Sequence, residues 1–165
     1  MTDLRAQIRA TPWLEELLRV EFDFDLDRVD PVEEVHLPDG EPLTPIAGDA
    51  SGGTFLLTPS GAVVYAGSEG EGGLIAADLR GALALVVGLP SLHNALSHPG
   101  DEAWLAECDD EIRQEEPDLD ANRARARDAL GLPPAATLLG ALLSAAADDD
   151  FRPVSEHGPY ESMLS

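Results

Sequence analysis

The stretch LTPIAGDASGGTFLLTPSGAVVYAGSEGEGGLIAADLRGALALVVGL, residues 43–89, decides the fold. It opens with three short apolar pieces, LTPIA, TFLLT and AVVYA, each bounded by turn residues, and PSG joins the last two as a hairpin. Together they predict an antiparallel meander. The period then changes. LIAADLRGALALVVGL, residues 74–89, is helical in length and apolar almost all round, which predicts the most buried helix, lying across the sheet and stopped by Pro90. Strands grouped together and then followed by helices define an α+β domain rather than an alternating α/β one.

Within this stretch, GDASGG (residues 48–53) is one alanine away from the Gly-Asp-Ser-Gly-Gly around a protease serine. A nucleophilic Ser51 needs a general base within hydrogen-bond reach and a carboxylate to orient that base. Only His36 precedes it, and most of the downstream chain reads as helical. The glycines are therefore expected to permit a turn that delivers the chain into TFLLT.

Outward toward the N-terminus, Leu4 and Ile8 lie one helical turn apart. Thr11 and Pro12 then open a second helix with the apolar stripe Trp13, Leu14, Leu17 and Leu18. EFDFDLDRV (residues 21–29) alternates strictly: Phe22, Phe24 and Leu26 against Glu21, Asp23, Asp25 and Asp27. That pattern predicts a half-buried strand with an acidic outer face. Outward toward the C-terminus, SLHNAL is a short helical turn. Three helices come after it: DEAWLAECDDEIRQEE stopped by Pro117, DANRARARDAL ended by Gly131, and AATLLGALLSAAA. The expected fold is an antiparallel sheet of about four to six strands flanked by helices, with a helical C-terminal region. Residues 1–150 form one domain, and 151–165 a partly mobile tail that Phe151 can pin.

At 165 residues the chain suits one domain, and its single cysteine, Cys108, excludes an internal disulfide. The spacing of Trp104, Leu105, Cys108 and Ile112 places that thiol on an apolar helical face and predicts it in the core. MTDLRAQIRATPW lacks the apolar run of a signal peptide, and no apolar stretch reaches bilayer length, so a cytoplasmic location is expected. All ten basic residues are arginine, against 32 acidic ones, giving a net charge of −22. Such a field repels nucleic acid and anionic membranes and steers basic proteins inward.

DFDLDRVDPVEE places Asp23, Asp25 and Asp27 at positions 1, 3 and 5 of a calcium-loop frame, with Glu34 at position 12. Arg28 stands where that loop needs glycine, and Asp30 and Pro31 fall at further unsuitable positions. VVYAGSEGEGGLIAADL reads as strand, glycine-rich loop and helix. It lacks the lysine of a phosphate loop, and Glu69 and Glu71 oppose phosphate; they are expected as exposed contact residues on the turn. No two of His36, His93, His98 and His157 are spaced i, i+4, and no cysteine pair accompanies them, so neither metal nor cofactor is expected. The three arginines of NRARARDAL are expected in helical salt bridges.

Residues 43–89 resemble the core of the SUKH superfamily: a Pro-Ile-Ala strand, a Gly and Asp turn, an apolar strand, a hairpin, a Val-Val-Tyr strand, an acidic loop, and a helix beginning near Ile75 and Ala76. The resemblance implies a central sheet flanked by helices and, for many bacterial members, an immunity protein that neutralises a toxin, with no catalytic residues. It leaves the helices after Asp101 without a counterpart. The expectation is a non-enzymatic protein-binding module of the immunity type, docking an acidic surface on a basic toxin partner. Asp23, Asp25, Asp27, Glu69 and Glu71 are the contact candidates. The alternatives are a small enzyme with its site between the sheet and the C-terminal helices, or a regulatory scaffold of the same fold.

Overall fold

The turns between residues 43 and 76 each reverse the chain once, and the strands between them pair in sequence order. The computed structural model describes residues 3–31 and 33–164; Met1, Thr2, Val32 and Ser165 lie outside the described residues. Strands β1 (Thr44–Gly48), β2 (Thr54–Leu57), β3 (Val63–Ala66) and β4 (Gly72–Ala76) form one antiparallel meander in the order β1-β2-β3-β4. Side chains alternate across it, as strand geometry requires. Ile46, Phe55, Val63 and Ile75 join the main core, while Leu43, Leu56, Val64 and Ala66 join a second cluster on the opposite face.

The sheet corrects the reading of residues 74–89 as one helix. Leu74, Ile75 and Ala76 belong to β4, and helix α3 begins only at Leu79. Two local features decide this. Val64 pairs with Leu74 and Tyr65 with Gly73, and the Asp78 carboxylate accepts from the Gly81 N–H at 2.7 Å, capping the helix. The supposed strand, loop and helix of residues 63–79 is therefore a hairpin, with the helix after it.

Seven helices accompany the sheet among the described residues: α1 (Leu4–Arg9), α2 (Pro12–Glu21), α3 (Leu79–Gly88), α4 (Leu92–Ser97), α5 (Glu102–Glu115), α6 (Leu119–Leu130) and α7 (Leu139–Ala146). The expected α+β class is observed. Half of α3 is buried, and α6 ends at Gly131, whose φ of +63° is the left-handed cap that glycine supplies without strain. No single helix among the described residues is long and apolar enough to cross a membrane.

The expected strand at residues 21–29 is not formed. Glu21 closes α2, Asp23 adopts φ +55°, and only Asp25 pairs, through two hydrogen bonds to Gly48 at 2.9 and 3.0 Å. The chain then curls away because the Asp25 carboxylate accepts from the Asp27 N–H at 2.9 Å, a side-chain turn that competes with a ladder. The alternation still buries Phe24 and Leu26.

Helices cover one sheet face. The other is closed by residues 35–43 and by the C-terminal segment, whose short strands β5 (Val154–Ser155) and β6 (Gly158–Pro159) pair with each other. His36 and Val154 exchange backbone hydrogen bonds at 3.0 and 2.8 Å, and Tyr160 is buried over Leu56 and Val64. Phe151, expected to pin a partly mobile tail, packs with Tyr160 in this second cluster, with apolar area as the driving force. Cys108, expected in the core, is only half-buried on α5, a helix that buries Leu105 alone.

Candidate functional site

A cleft of about 530 Å3 opens between the sheet and the helices. Three parts of the fold build it: the β1–β2 and β3–β4 turns, the end of α2, and the surfaces of α3, α4, α5 and α6.

The β1–β2 turn is organised by one carboxylate. Asp49 Oδ1 accepts from the Ser51 N–H at 3.1 Å, the Ser51 hydroxyl at 2.6 Å and the Gly53 N–H at 2.9 Å, while Oδ2 accepts from the Tyr65 hydroxyl at 2.5 Å. Gly53 is required here, because a Cβ at that position would collide with the Tyr65 oxygen. Burial, reinforced by the Asp49 charge, holds the Tyr65 phenol protonated well above its usual range. Ser51 is exposed and its hydroxyl donates a hydrogen bond to Asp49, not to an imidazole. The GDASGG turn is structural, and the expectation of a turn feeding β2 is met.

Asp23 anchors the next wall. Its carboxylate accepts from the Ala50 N–H at 2.8 Å, tying the end of α2 to the β1–β2 turn. Across the mouth, the Gly67 N–H donates to the Glu71 carbonyl at 2.7 Å and closes the β3–β4 turn that presents Glu69 and Glu71. The C-terminal segment holds that turn from behind: Gly72 N–H donates to the Glu161 carbonyl at 3.0 Å and Glu161 N–H to the Gly70 carbonyl at 2.8 Å. Met163 from the same segment lines the cleft.

The apolar part of the lining includes Phe22, Phe55, Leu89, Leu92 and Leu96. Phe55 is the middle of an aromatic column, its ring centroid 4.9 Å from Phe24 and 5.1 Å from Tyr65. Leu92 and Leu96 are set by α4, which Ser91 caps by accepting from the Asn94 N–H at 2.9 Å. Arg123 is the cation of the lining and is already engaged. It is 5% exposed, donates through Nε to the Val87 carbonyl near the end of α3 at 2.9 Å, and pairs through Nη2 with Asp109 at 2.8 Å. The lining therefore carries five carboxylates, Glu21, Asp23, Asp49, Glu69 and Glu71, against one guanidinium.

Three of the five contact candidates meet in this cleft: Asp23, Glu69 and Glu71. Glu69 is exposed and Glu71 half-buried. Asp25 and Asp27 are outside it and paired: Asp25 stands 3.4 Å from Arg28 Nε, and Asp27 stands 2.9 Å from Arg9 Nη2. Among the described residues, no ion pair engages Glu21, Asp23, Glu69 or Glu71. Arg9, Arg28, Arg113, Arg123 and Arg152 are bound to other carboxylates, Arg80 to the carbonyls of Leu130 and Gly131, and Arg125 lies over Trp13. Two of the three NRARARDAL arginines work between helices, Arg123 reaching α5 and Arg125 reaching α2, while Asp120 binds Arg113.

Sequence reading missed Glu21, Asp49, Tyr65, His93 and Arg123 as members of one site. Only Asp49 carried a local signal, an aspartate two residues before a Ser-Gly pair, which is the mark of a side-chain turn. Compared with protein-family models, with curated proteins and with solved structures, the chain matches none.

Proposed function

We propose that this chain is a non-enzymatic binding protein that docks the acidic mouth of its cleft on a basic protein partner and blocks it, in the manner of an immunity-type inhibitor. The observation that carries this reading is the set of four carboxylates at the mouth, Glu21, Asp23, Glu69 and Glu71, without an ion-pair partner among the described residues, in a chain that engages most of its arginines elsewhere. Unneutralised charge at a concave surface focuses the field of the whole molecule, here −22, and raises the association rate of an oppositely charged partner. The SUKH-like order of strand, turn, strand, hairpin and strand in residues 43–66 supports the immunity assignment within that class, while the helix that the resemblance puts near Ile75 and Ala76 is instead the strand β4, with α3 following at Leu79.

A small enzyme working in the same cleft is the competing reading, since the concavity lies between sheet and helices as that reading requires. Against it, the Ser51 and Tyr65 hydroxyls both donate their hydrogen bonds to Asp49, a use that serves the turn.

Affinity capture from the native host at low and high salt, followed by mass spectrometry, tests the proposal. A basic protein retained at low salt, toxic when expressed alone and harmless beside this chain, is the expected result. Retention of no stoichiometric protein overturns it.

A further inference from the structure

The cleft is more than an acidic patch, and its two kinds of surface specify an occupant. The whole cleft has a volume of about 530 Å3, and its apolar walls include Phe22, Phe55, Leu89, Leu92, Leu96 and Met163. That volume falls within the roughly 300–1,000 Å3 of clefts that enclose a ligand. Carboxylates stand at its mouth, so an occupant must offer apolar bulk to the walls and positive charge to the rim. Arginine and lysine side chains combine both, an apolar stem that lies along a wall and a cationic head that reaches a carboxylate.

We infer that the cleft receives a segment of the basic partner in which one or two large apolar side chains are flanked by arginine or lysine. The apolar anchors fill the hollow, and the flanking cations sit at Asp23, Glu69 and Glu71. This inference rests on the reading of the chain as a binder of a basic protein and names the element that is bound. Other occupants fit the surface less well. A second copy of the chain brings the same −22 and arginines that are mostly engaged at home. Nucleic acid brings phosphates to a carboxylate rim. The chain's own C-terminal segment already forms a wall of the cleft through Met163 while its Tyr160 packs on the far sheet face.

The test uses three labelled nine-residue peptides: arginines flanking a Leu-Phe core, the same core flanked by glutamates, and the same arginines flanking serines. Binding to the full chain is followed by fluorescence anisotropy. The variant Ser68→Trp carries a large ring at an exposed turn position on the cleft lining and narrows the mouth without touching the core. The expected result is that the Arg-Leu-Phe peptide binds at least tenfold more tightly than either control, and that S68W and the pair Glu69→Gln with Glu71→Gln each weaken it by roughly tenfold. Circular dichroism confirms that each variant folds. Equal binding of the serine peptide, or indifference to S68W, overturns the cleft assignment. Capture of a basic protein by wild type and S68W alike also overturns it, while leaving the wider reading in place; capture by neither wild type nor variant removes that reading.

Discussion

Replacing Asp49 with alanine tests how the cleft is held in shape. The substitution removes four acceptor contacts, but their costs differ. The Ser51 hydroxyl and N–H are exposed and turn to water at little loss. The Gly53 N–H is buried, and the Tyr65 hydroxyl sits in a packed site opposite Asp49. A buried donor left without an acceptor costs about 1–3 kcal/mol, so these two together cost about 2–6 kcal/mol. For a chain of this size, that lowers Tm by roughly 4–24 °C. Guanidinium unfolding followed by circular dichroism measures it, with Asp49→Ala, Tyr65→Phe and the double variant forming a cycle. In the Asp49→Ala background the phenol is an orphan, so Tyr65→Phe there is expected to be neutral or to restore stability. In the wild-type background the same change removes a good hydrogen bond and destabilises by about 1–2 kcal/mol. Equal cost of Tyr65→Phe in both backgrounds, or a cost below about 0.5 kcal/mol for Asp49→Ala, refutes the role of Asp49 as the organiser of the turn.

Neighbouring features carry further expectations. Burial and Asp49 raise the Tyr65 phenol, and burial with the Glu33 hydrogen bond pushes Tyr160 up to about 12. A phenol raised in the folded state contributes stability that is whole below its unfolded value near 10 and is lost as pH climbs through the folded value. Alkaline unfolding is therefore expected to begin above about pH 10, and Tyr160→Phe to flatten the fall between about pH 10 and 12; a variant profile identical to that of wild type counts against the Tyr160 assignment. With the captured partner, Asp23→Asn, Glu69→Gln and Glu71→Gln together are expected to slow association roughly tenfold and flatten its salt dependence. Asp25→Asn with Asp27→Asn is expected to leave the rate within about twofold, because both carboxylates are already paired with arginine. Stopped-flow mixing at several salt concentrations separates the two sets, and equal slowing by both contradicts the placement of the interface. Tyr160→Ala is expected to cost about 3 kcal/mol and to increase amide exchange at Gly72, whose N–H depends on the C-terminal segment. Unchanged exchange there contradicts the clamping of the β3–β4 turn.

Much of the fold was legible because its signals are local. The glycine and proline turns around TFLLT and AVVYA set a meander, and Pro12, Pro117 and Gly131 bound helices where the structure has them. The misreadings share one cause, that periodicity does not say whether a partner is present. Alternation at residues 21–29 buries Phe24 and Leu26 without a ladder, because Asp23 and Asp25 turn the backbone at each end. The apolar run at residues 74–89 is divided because Leu74, Ile75 and Ala76 have β3 to pair with and Asp78 caps the helix beyond them. An unbroken apolar stretch fits a buried strand and a buried helix equally well.

The candidate site divides in the same way. Composition alone determined the sign of the field and thereby the class of partner it repels, since charge adds up regardless of where each residue lies. Which carboxylates remain available was decided only by tertiary structure. Asp23 and Asp27 are close neighbours in the chain, yet one faces the cleft and the other is held by Arg9 from α1. Glu69 and Glu71 reach the mouth on a turn braced by Glu161, from the far end of the chain. Such pairings depend on distances between segments that local sequence does not encode. They arise when the core buries its apolar faces and brings the remote backbone groups within hydrogen-bond reach.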